Sequence, residues 1–351
     1  MSGHRSPGGV RQAHAGAARV VVGPAPPLER EAREALAAAQ QAVGATLPRG
    51  AGRRGRPEEP DPWRTCFERD RDRILHSTAF RRLAGKTQVF IFPADHQRTR
   101  LTHAIEVAQV ATAIAAACRL NVPLAEAIAL GHDCGHGPGG HASEDAFSAF
   151  VPGFDHAVWG ADVTAAPLNL CAETLDGIRN HSWSRPAPST PEGQVVGLAD
   201  RIAYCAHDLE DAARAGLVEP RLLPDAVRDR CGTTRSSQLR AFIADAVGTI
   251  GSTGLVGLSE DMGEALALLR AFNHERVYLR PESVEQSRAV IEMLRALVEH
   301  YAARPWLLPP FEGDPLRAAV AYVDGMTDRY ACDQATVLLG WPPERLPRRA
   351  A

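Results

Sequence analysis

Histidine and aspartate side chains suited to metal binding are concentrated in one part of the chain. Six of the 13 histidines fall within 61 residues, and His132-Asp133 directly follows the apolar run Ala127–Leu130 near the centre of that stretch. His103 lies 29 residues before His132, and Asp200 lies 67 residues after Asp133. Neutral imidazole nitrogens together with carboxylate oxygens suit Mn, Fe, Co, Ni, Zn or Mg, with coordination positions left for water. These four residues therefore predict a site for a divalent metal ion, either Mg, Mn or another transition metal.

Helices must bring these residues together, because they are far apart in the chain. Apolar periodicity predicts a helix over Leu101–Leu120, which carries His103, and another over Leu124–Leu130, which ends just before His132. A third predicted helix, Gly193–Ala215, carries Asp200. The Gly-His-Gly-Pro-Gly-Gly run at 135–140 predicts a loop. Antiparallel packing of the first two helices, with the third beside them, would place the four ligands at one point.

The remaining pattern is also mainly helical. With aromatic residues at only 6%, the core must be built largely from Ala, Leu, Val and Ile, a composition that favours an all-α protein. Further helices are predicted at Leu28–Val43, Arg69–Ala84, Cys171–His181, Glu264–Phe272, Pro281–Tyr301 and Pro315–Leu339, and Thr87–Phe92 is the best candidate strand. We predict a flexible Arg/Gly/Pro-rich tail over 1–60, a metal-dependent core over 61–215 and a helical region over 216–351 packed on that core.

Composition excludes several classes of protein. No apolar run approaches 18 residues, which argues against a transmembrane helix, and no apolar signal-peptide segment is visible. The seven cysteines contain no CxxC pair, so a reducing cytoplasm is the expected compartment. Residues 1–57 carry a net charge of +6 and residues 101–351 one of −11. An acidic body with a basic N-terminal segment does not favour general nucleic-acid binding, although binding through the tail remains an alternative.

Several long stretches resemble one family. The chain is similar to the HD-domain superfamily, and within it to the bacterial deoxynucleoside triphosphate (dNTP) triphosphohydrolases of the deoxyguanosinetriphosphate triphosphohydrolase-like group. The matching stretches are Arg69–Leu83, Lys86–Phe90, Arg98–Ala108, Gly131–His136 with His141, Leu175–Ser182, Glu192–Val196, Ala199–Tyr204 and Gly325–Tyr330. The resemblance implies an all-α HD-domain helical bundle with a C-terminal helical extension. It also implies hydrolysis of dNTPs to deoxynucleoside and inorganic triphosphate, and it agrees with the four metal ligands.

The resemblance also assigns the proton-transfer groups. His141 and Glu144 match the pair at the attacking water, where a carboxylate can orient an imidazole. His136 and His156 match histidines near the phosphates and the leaving group. The chain departs from the family where Gly139 replaces an aromatic residue and where the usual neighbours of His156 are missing.

Substrate contacts are expected from a further set of residues. Arg100 would share the helix face of His103 and reach a phosphate, and Arg201 matches a basic phosphate contact. Lys86 is the chain's sole lysine, which suggests a role for an ammonium group. The resemblance points to Gln88, Tyr204 and Asp208 as sugar-facing residues, and the last two could share a helix face with Asp200.

Partners and alternatives follow from the same resemblance. The expected partners are a dNTP substrate, a second dNTP as activator and further copies of the chain in a homo-oligomer, with no membrane. The alternatives are a phosphohydrolase of the same fold that acts on nucleoside monophosphates or other phosphoesters, and a non-catalytic nucleotide-binding protein.

Overall fold

Helix formation follows the apolar periodicity and the capping residues of the sequence. The computed structural model describes residues 4–5, 9–14, 22–23, 25–49, 53–93 and 96–348. These ranges are all-α, as the composition predicts, apart from one antiparallel pair of two-residue strands, β1 (His4–Arg5) and β2 (Arg11–Gln12). Among the described residues no helix combines the length and the apolar character needed to cross a membrane.

Fifteen α-helices account for the regular structure of the described residues. They are α1 (Arg30–Gln40), α2 (Cys66–His76), α3 (Thr78–Arg82), α4 (Arg100–Ala117), α5 (Val122–Gly131), α6 (His141–Phe147), α7 (His156–Trp159), α8 (Ala172–Asn180), α9 (Pro191–Arg214), α10 (Asp225–Cys231), α11 (Arg235–Thr253), α12 (Glu260–Asn273), α13 (Pro281–Ala302), α14 (Pro315–Asp324) and α15 (Asp328–Leu339).

Caps explain where the chain departs from the predicted helices. The helix predicted over 69–84 is divided at Ser77, whose backbone is extended and whose hydroxyl accepts a hydrogen bond from the Phe80 amide. The helix predicted over 315–339 is divided before Thr327, whose hydroxyl caps α15. The strand prediction for 87–92 is wrong, because Thr87 makes only an isolated bridge with Thr99. The sequence did not predict α6, α7, α10 or α11.

Two hydrophobic cores organise the described helices. The first, here called the metal-side core, joins buried residues of α2 to α5 and α8 to α12. Close helix packing holds it together: a β-carbon on Gly177 of α8 would lie 2.3 Å from Cδ1 of Ile128 on α5. This contact fixes the end of α8 beside the end of α5, where His132 follows.

The second core, here called the C-terminal core, lies on the other side of the loop at 135–140. It joins buried residues of α6 and α7 to α13, α14 and α15, with Phe147, Trp159 and Leu294 among them. The division between the cores therefore differs from a boundary at residue 215. Helix α6 packs with the C-terminal helices, and α7 contributes Trp159 to their core while it also packs on α8. Helices α10 to α12 pack with the metal-side core.

The described part of the predicted tail contacts the body. Helix α1 confirms the helix predicted over 28–43. Nη1 of Arg54 lies 2.7 Å from Oδ1 of the fully buried Asp70, and Oγ1 of Thr46 donates to Oε2 of Glu192 at 2.6 Å. These contacts differ from the expectation of a free tail. The tail was predicted to be flexible because it has few apolar residues to bury, but polar side chains hold this part of it on the body.

Candidate metal centre and active site

The four predicted metal ligands converge between α4, α5 and α9. Nε2 of His103 lies 3.0 Å from Oδ1 of Asp200, and Nε2 of His132 lies 3.7 Å from the same oxygen. Asp133 faces both imidazoles, with Oδ1 3.5 Å from Nε2 of His132 and Oδ2 3.8 Å from Nε2 of His103. Helix α4 supplies His103, the end of α5 supplies His132-Asp133, and α9 supplies Asp200.

Hydrogen bonding leaves His132 ready to bind a cation. Its Nδ1 lies 2.6 Å from the Ala129 carbonyl oxygen, so this nitrogen must carry the proton. In the neutral imidazole Nε2 then carries the lone pair, and this atom is buried without a hydrogen-bond partner. A buried polar atom without a partner is costly unless it binds something that the protein is built to receive. The donor set of two imidazoles and two carboxylates thus fits a divalent metal ion.

The charges at this point also favour cation binding. Burial opposes ionisation of Asp133, but the adjacent Arg100 guanidinium holds the pKa of its carboxyl well below the usual value. Burial likewise opposes ionisation of Asp200, and its hydrogen bond with His103 lowers the pKa of that carboxyl. Both carboxylates are therefore anionic at neutral pH and can ligate a metal.

A second cluster of titratable groups lies beside the metal ligands. Oε1 of Glu144 is 3.1 Å from Nδ1 of His141 and 2.7 Å from Nδ1 of His156. His136 stacks on His156 with ring centroids 3.7 Å apart, and its Nε2 lies 3.2 Å from Oδ1 of Asp133. The four proton-transfer residues predicted from the sequence are thus brought together on one side of Asp133.

Hydrogen-bond complementarity makes His156 a cation. Nδ1 of His181 lies 2.8 Å from the Ile178 carbonyl oxygen and must donate, which leaves Nε2 of His181 as an acceptor. Nε2 of His156 lies 3.2 Å from that acceptor, while Nδ1 of His156 faces the Glu144 carboxylate. Both nitrogens of His156 therefore donate. In agreement, burial lowers the pKa of His156 but Glu144 raises it more, whereas burial lowers the pKa of His181 to about 4.

These clusters form the wall of a cavity of about 750 Å³, a size suited to a small-molecule ligand. The cavity is lined by three of the four predicted metal ligands, His103, Asp133 and Asp200, and by His136, His141 and His156, which the sequence predicts to transfer protons. The fourth ligand, His132, lies behind this surface and is fully buried.

Predicted phosphate contacts line the same cavity. Arg100 is buried, and its Nη1 donates to Oδ2 of Asp133 at 2.7 Å. Cζ of Arg201 lies 3.7 Å from the centre of the Trp183 ring, a cation–π geometry, and its Nε is buried without a hydrogen-bond partner. Both arginines line the cavity near the predicted metal ligands, although the guanidinium group of Arg100 is paired with Asp133.

Predicted sugar contacts lie further along α9. Oη of Tyr204 accepts a hydrogen bond from Nε of Arg270 at 3.2 Å. Oδ1 of Asp208 accepts from Nη2 of Arg98 at 2.6 Å, and its Oδ2 accepts from the Tyr278 hydroxyl. These side chains line the cavity together with Gln88, whose Oε1 is buried without a hydrogen-bond partner.

Comparison with known proteins identifies the family. An HD domain matches residues 100–205, and a phosphohydrolase-associated domain matches residues 256–336. The deoxyguanosinetriphosphate triphosphohydrolase-like protein of Caldanaerobacter subterraneus subsp. tengcongensis is 42% identical over 293 residues, which cover 79% of this chain and 86% of that protein. A protein of the same name from Clostridium perfringens (strain SM101 / Type A) is 40% identical over 304 residues, covering 80% and 89%. The deoxyguanosinetriphosphate triphosphohydrolase-like protein 1 of Deinococcus radiodurans is 36% identical over 349 residues, which cover 82% of this chain and 93% of that protein.

This chain belongs to the HD-domain family of deoxyguanosinetriphosphate triphosphohydrolase-like proteins. The family resemblance stated from the sequence is therefore confirmed. HD-domain hydrolases are metal-dependent, and this one has a cluster of histidines and aspartates that could hold the ion.

Lys86, a predicted substrate contact of this HD-domain protein, lies outside the cavity lining. Lys86 is 2% exposed, and its Nζ donates to the carbonyl oxygens of His136 and Asp324. Its ammonium group does not line the cavity, so the expectation that it contacts substrate is corrected. Lys86 instead joins two backbone segments, a role that its rarity in the sequence could not reveal.

Two cavity residues of this HD-domain protein were missed from the sequence. His181 fixes the donor pattern of His156, and Tyr278 donates to Asp208. His181 lies in a stretch that carries the family resemblance, which was the available signal. Tyr278 follows α12 in a region without a recognised motif, so the sequence offered no comparable signal.

Proposed function

We propose that this protein hydrolyses dNTPs to deoxynucleoside and inorganic triphosphate in the cytoplasm, with a bound divalent metal ion. One observation supports this most directly: three of the four predicted metal ligands line a cavity that is also lined by Arg100, Arg201 and His141, the partner of Glu144. A triphosphate needs fixed positive charge, and phosphate-ester hydrolysis needs a base for water and an acid for the leaving oxygen.

The proposed reaction breaks one bond. The oxygen of water bonds to the α-phosphorus, the bond from that phosphorus to the 5′-oxygen breaks, and the electron pair goes to the 5′-oxygen, which takes a proton. His103, His132, Asp133 and Asp200 would hold the metal, which when bound lowers the pKa of water and polarises the α-phosphate. The ion is Mg²⁺, Mn²⁺ or another transition metal.

His141 and Glu144 supply the base. The Glu144 carboxylate accepts from Nδ1 of His141 at 3.1 Å, which leaves Nε2 of His141 free to take a proton from water. The His141 side chain is 77% exposed at the cavity wall, so water can reach this nitrogen. Because Glu144 remains anionic, it also stabilises the imidazolium that forms.

His156 supplies the acid. It is cationic in the arrangement described above, and it lines the cavity. Its proton would pass to the 5′-oxygen as the bond to phosphorus breaks. His136, stacked on His156, is neutral because burial and the nearby Arg100 lower its pKa, so it would contact phosphate as a hydrogen-bonding group without adding charge.

The remaining cavity residues would bind the rest of the substrate. Arg100 and Arg201 would contact phosphates, and Gln88, Tyr204 and Asp208 would face the deoxyribose. The family resemblance also leads us to propose a homo-oligomer and activation by a second dNTP.

A product assay tests the proposal. Protein loaded with Mg²⁺ or Mn²⁺ is incubated with each dNTP and with an equimolar mixture, and products are separated by ion-exchange chromatography. We expect deoxynucleoside and intact triphosphate from wild type and from the control His76→Ala, an exposed histidine on α2. We expect neither product from the double variant His132→Ala/Asp133→Ala.

Other products would refute the proposal. Orthophosphate released from nucleoside monophosphates or other phosphoesters, without triphosphate from any dNTP, would support the alternative phosphohydrolase. Nucleotide binding without turnover under every condition would support a non-catalytic nucleotide-binding protein.

A further inference from the structure

The turn between α14 and α15 contacts the active-site loop, defined here as residues 135–140. It belongs to the stretch Gly325–Tyr330, which matches the family but to which the sequence assigned no role. Asp328, the first residue of α15, is 6% exposed and points toward the loop. A carboxylate buried to this extent needs several hydrogen-bond donors.

Asp328 receives those donors from two separate segments. Its Oδ1 accepts from the Gly139 amide at 2.8 Å. Its Oδ2 accepts from the amide of Thr87 at 2.9 Å and from the Thr87 hydroxyl at 2.5 Å. One side chain thus ties Thr87 to Gly139, and both of these residues line the cavity.

The tied loop packs directly against the metal-side residues. Gly139 and Gly140 have φ values of 74° and 63°, which glycine adopts without strain. A β-carbon on Gly140 would lie 2.7 Å from Nη2 of Arg100, the residue that pairs with Asp133. His141 follows Gly140 and begins α6, so the position of Gly139 sets where His141 stands relative to Asp133.

Lys86 makes a second connection between the same parts. Its Nζ donates to the carbonyl oxygen of His136, inside the loop, and to that of Asp324 at 2.8 Å, inside the turn. The turn also packs closely on this segment, because a β-carbon on Gly85 would lie 2.8 Å from Cγ2 of Thr327. The loop is therefore held at both its beginning and its end.

We infer that Asp328 is a positioning residue, which holds the active-site loop so that His141 and Glu144 face the metal-ligand set. The metal ligands themselves lie on α4, after α5 and on α9, and their described hydrogen bonds do not involve Asp328. Loss of the Asp328 contacts should therefore misplace the base without removing the metal. Misplacing a reacting group by about 1 Å can cost about 100-fold in rate.

The test compares Asp328→Asn with Asp333→Asn, an exposed aspartate on the same helix. Asn keeps the size of the side chain but replaces one acceptor oxygen by an NH₂ group that would face a donor. We expect kcat for dNTP hydrolysis to fall about 10- to 100-fold in Asp328→Asn. We expect Mn²⁺ affinity, measured by titration calorimetry, to stay within about threefold of wild type, because the predicted metal ligands lie outside the loop. Asp333→Asn should match wild type throughout.

Hydrogen–deuterium exchange provides a readout that does not depend on turnover. In Asp328→Asn, amides of residues 136–141 should exchange at least tenfold faster, while those of α5 should be unchanged. Thr87→Val removes one donor and leaves the carboxylate, so it should produce the same changes to a smaller extent. This variant also serves as the test if Asp328→Asn does not fold.

The outcomes separate this inference from the proposed function on which it rests. Unchanged exchange in the loop, or faster exchange with unchanged kcat, would overturn it. A parallel loss of kcat and Mn²⁺ affinity would also overturn it, because that pattern indicates a general structural role. If wild type releases no triphosphate, the proposed function fails, and the exchange result alone then decides whether Asp328 holds the loop.

Discussion

Replacing Glu144 by glutamine tests the acid–base arrangement most directly. Glu144 accepts hydrogen bonds from His141 at 3.1 Å and from His156 at 2.7 Å. Both imidazoles contact the same oxygen, Oε1, so the glutamine carbonyl oxygen could still accept from them, but without the negative charge it would bind them more weakly. We expect Glu144→Gln to lower kcat by about 10²- to 10⁴-fold, the usual contribution of general acid–base catalysis.

The same variant should change the pKa of His156. Burial lowers that pKa and Glu144 raises it by more. A hydrogen bond to a charged group contributes about 1.5–3 kcal/mol, and one pKa unit corresponds to about 1.36 kcal/mol, so losing the charge should lower the pKa of His156 by about 1–2. A general acid works only when protonated, and its rate falls as pH rises through its pKa. The falling side of the kcat–pH profile should therefore move to lower pH in Glu144→Gln.

Two measurements check this reasoning. Histidine NMR titrations on metal-free and Mg²⁺-loaded protein give the pKa of His156, and initial rates give the kcat–pH profile. Asp145→Asn, an exposed neighbour on the same helix, is the control and should change neither. The reasoning is refuted if kcat of Glu144→Gln stays within about threefold of wild type, or if the pKa of His156 does not fall.

Three further predictions concern the metal, the phosphate contact and the buried lysine. His132→Ala should weaken Mn²⁺ binding about 100-fold or more in titration calorimetry, because Nε2 of His132 is buried without a hydrogen-bond partner beside the other predicted ligands. His76→Ala is the control and should leave Mn²⁺ binding unchanged. Trp183→Leu should raise KM for dNTPs about tenfold and leave kcat within about threefold of wild type, because Arg201 loses the ring that holds its guanidinium. An equal loss in kcat and kcat/KM would contradict this prediction. Lys86→Met should lower the free energy of unfolding by about 2–4 kcal/mol in urea titrations, because two buried carbonyl oxygens lose their donor. An unchanged midpoint of urea unfolding would show that the lysine is dispensable for stability.

The geometry of the metal ligands was predictable because simple helices carry them. His103, His132 and Asp200 lie on or next to helices whose apolar faces are evident in the sequence, and packing those faces leaves few ways to arrange the polar residues between them. The assignment of each residue's role still rests on the family resemblance and on the experiments above.

The contacts of the active-site loop were not predictable in this way. Lys86 and Thr87 bind residues 238 and 241 positions later in the chain, and no local periodicity reports such a contact. The rarity of lysine indicated that Lys86 matters, but composition cannot show which way a side chain points. The hydrogen bond from His156 to His181 was also missed. The donor pattern of His181 depends on the Ile178 carbonyl oxygen, which reaches Nδ1 of His181 only in the folded chain.

The division into two hydrophobic cores separates the two halves of the proposed chemistry. The predicted metal ligands lie on helices of the metal-side core, whereas His141 and Glu144 lie on α6, which packs in the C-terminal core. Cooperative units of a protein often open at different free energies. If the C-terminal core opens first on gentle heating, the protein would retain its ion and lose turnover. Thermal inactivation and metal release would then be separate events, and a metal-retention assay would overestimate the amount of working enzyme.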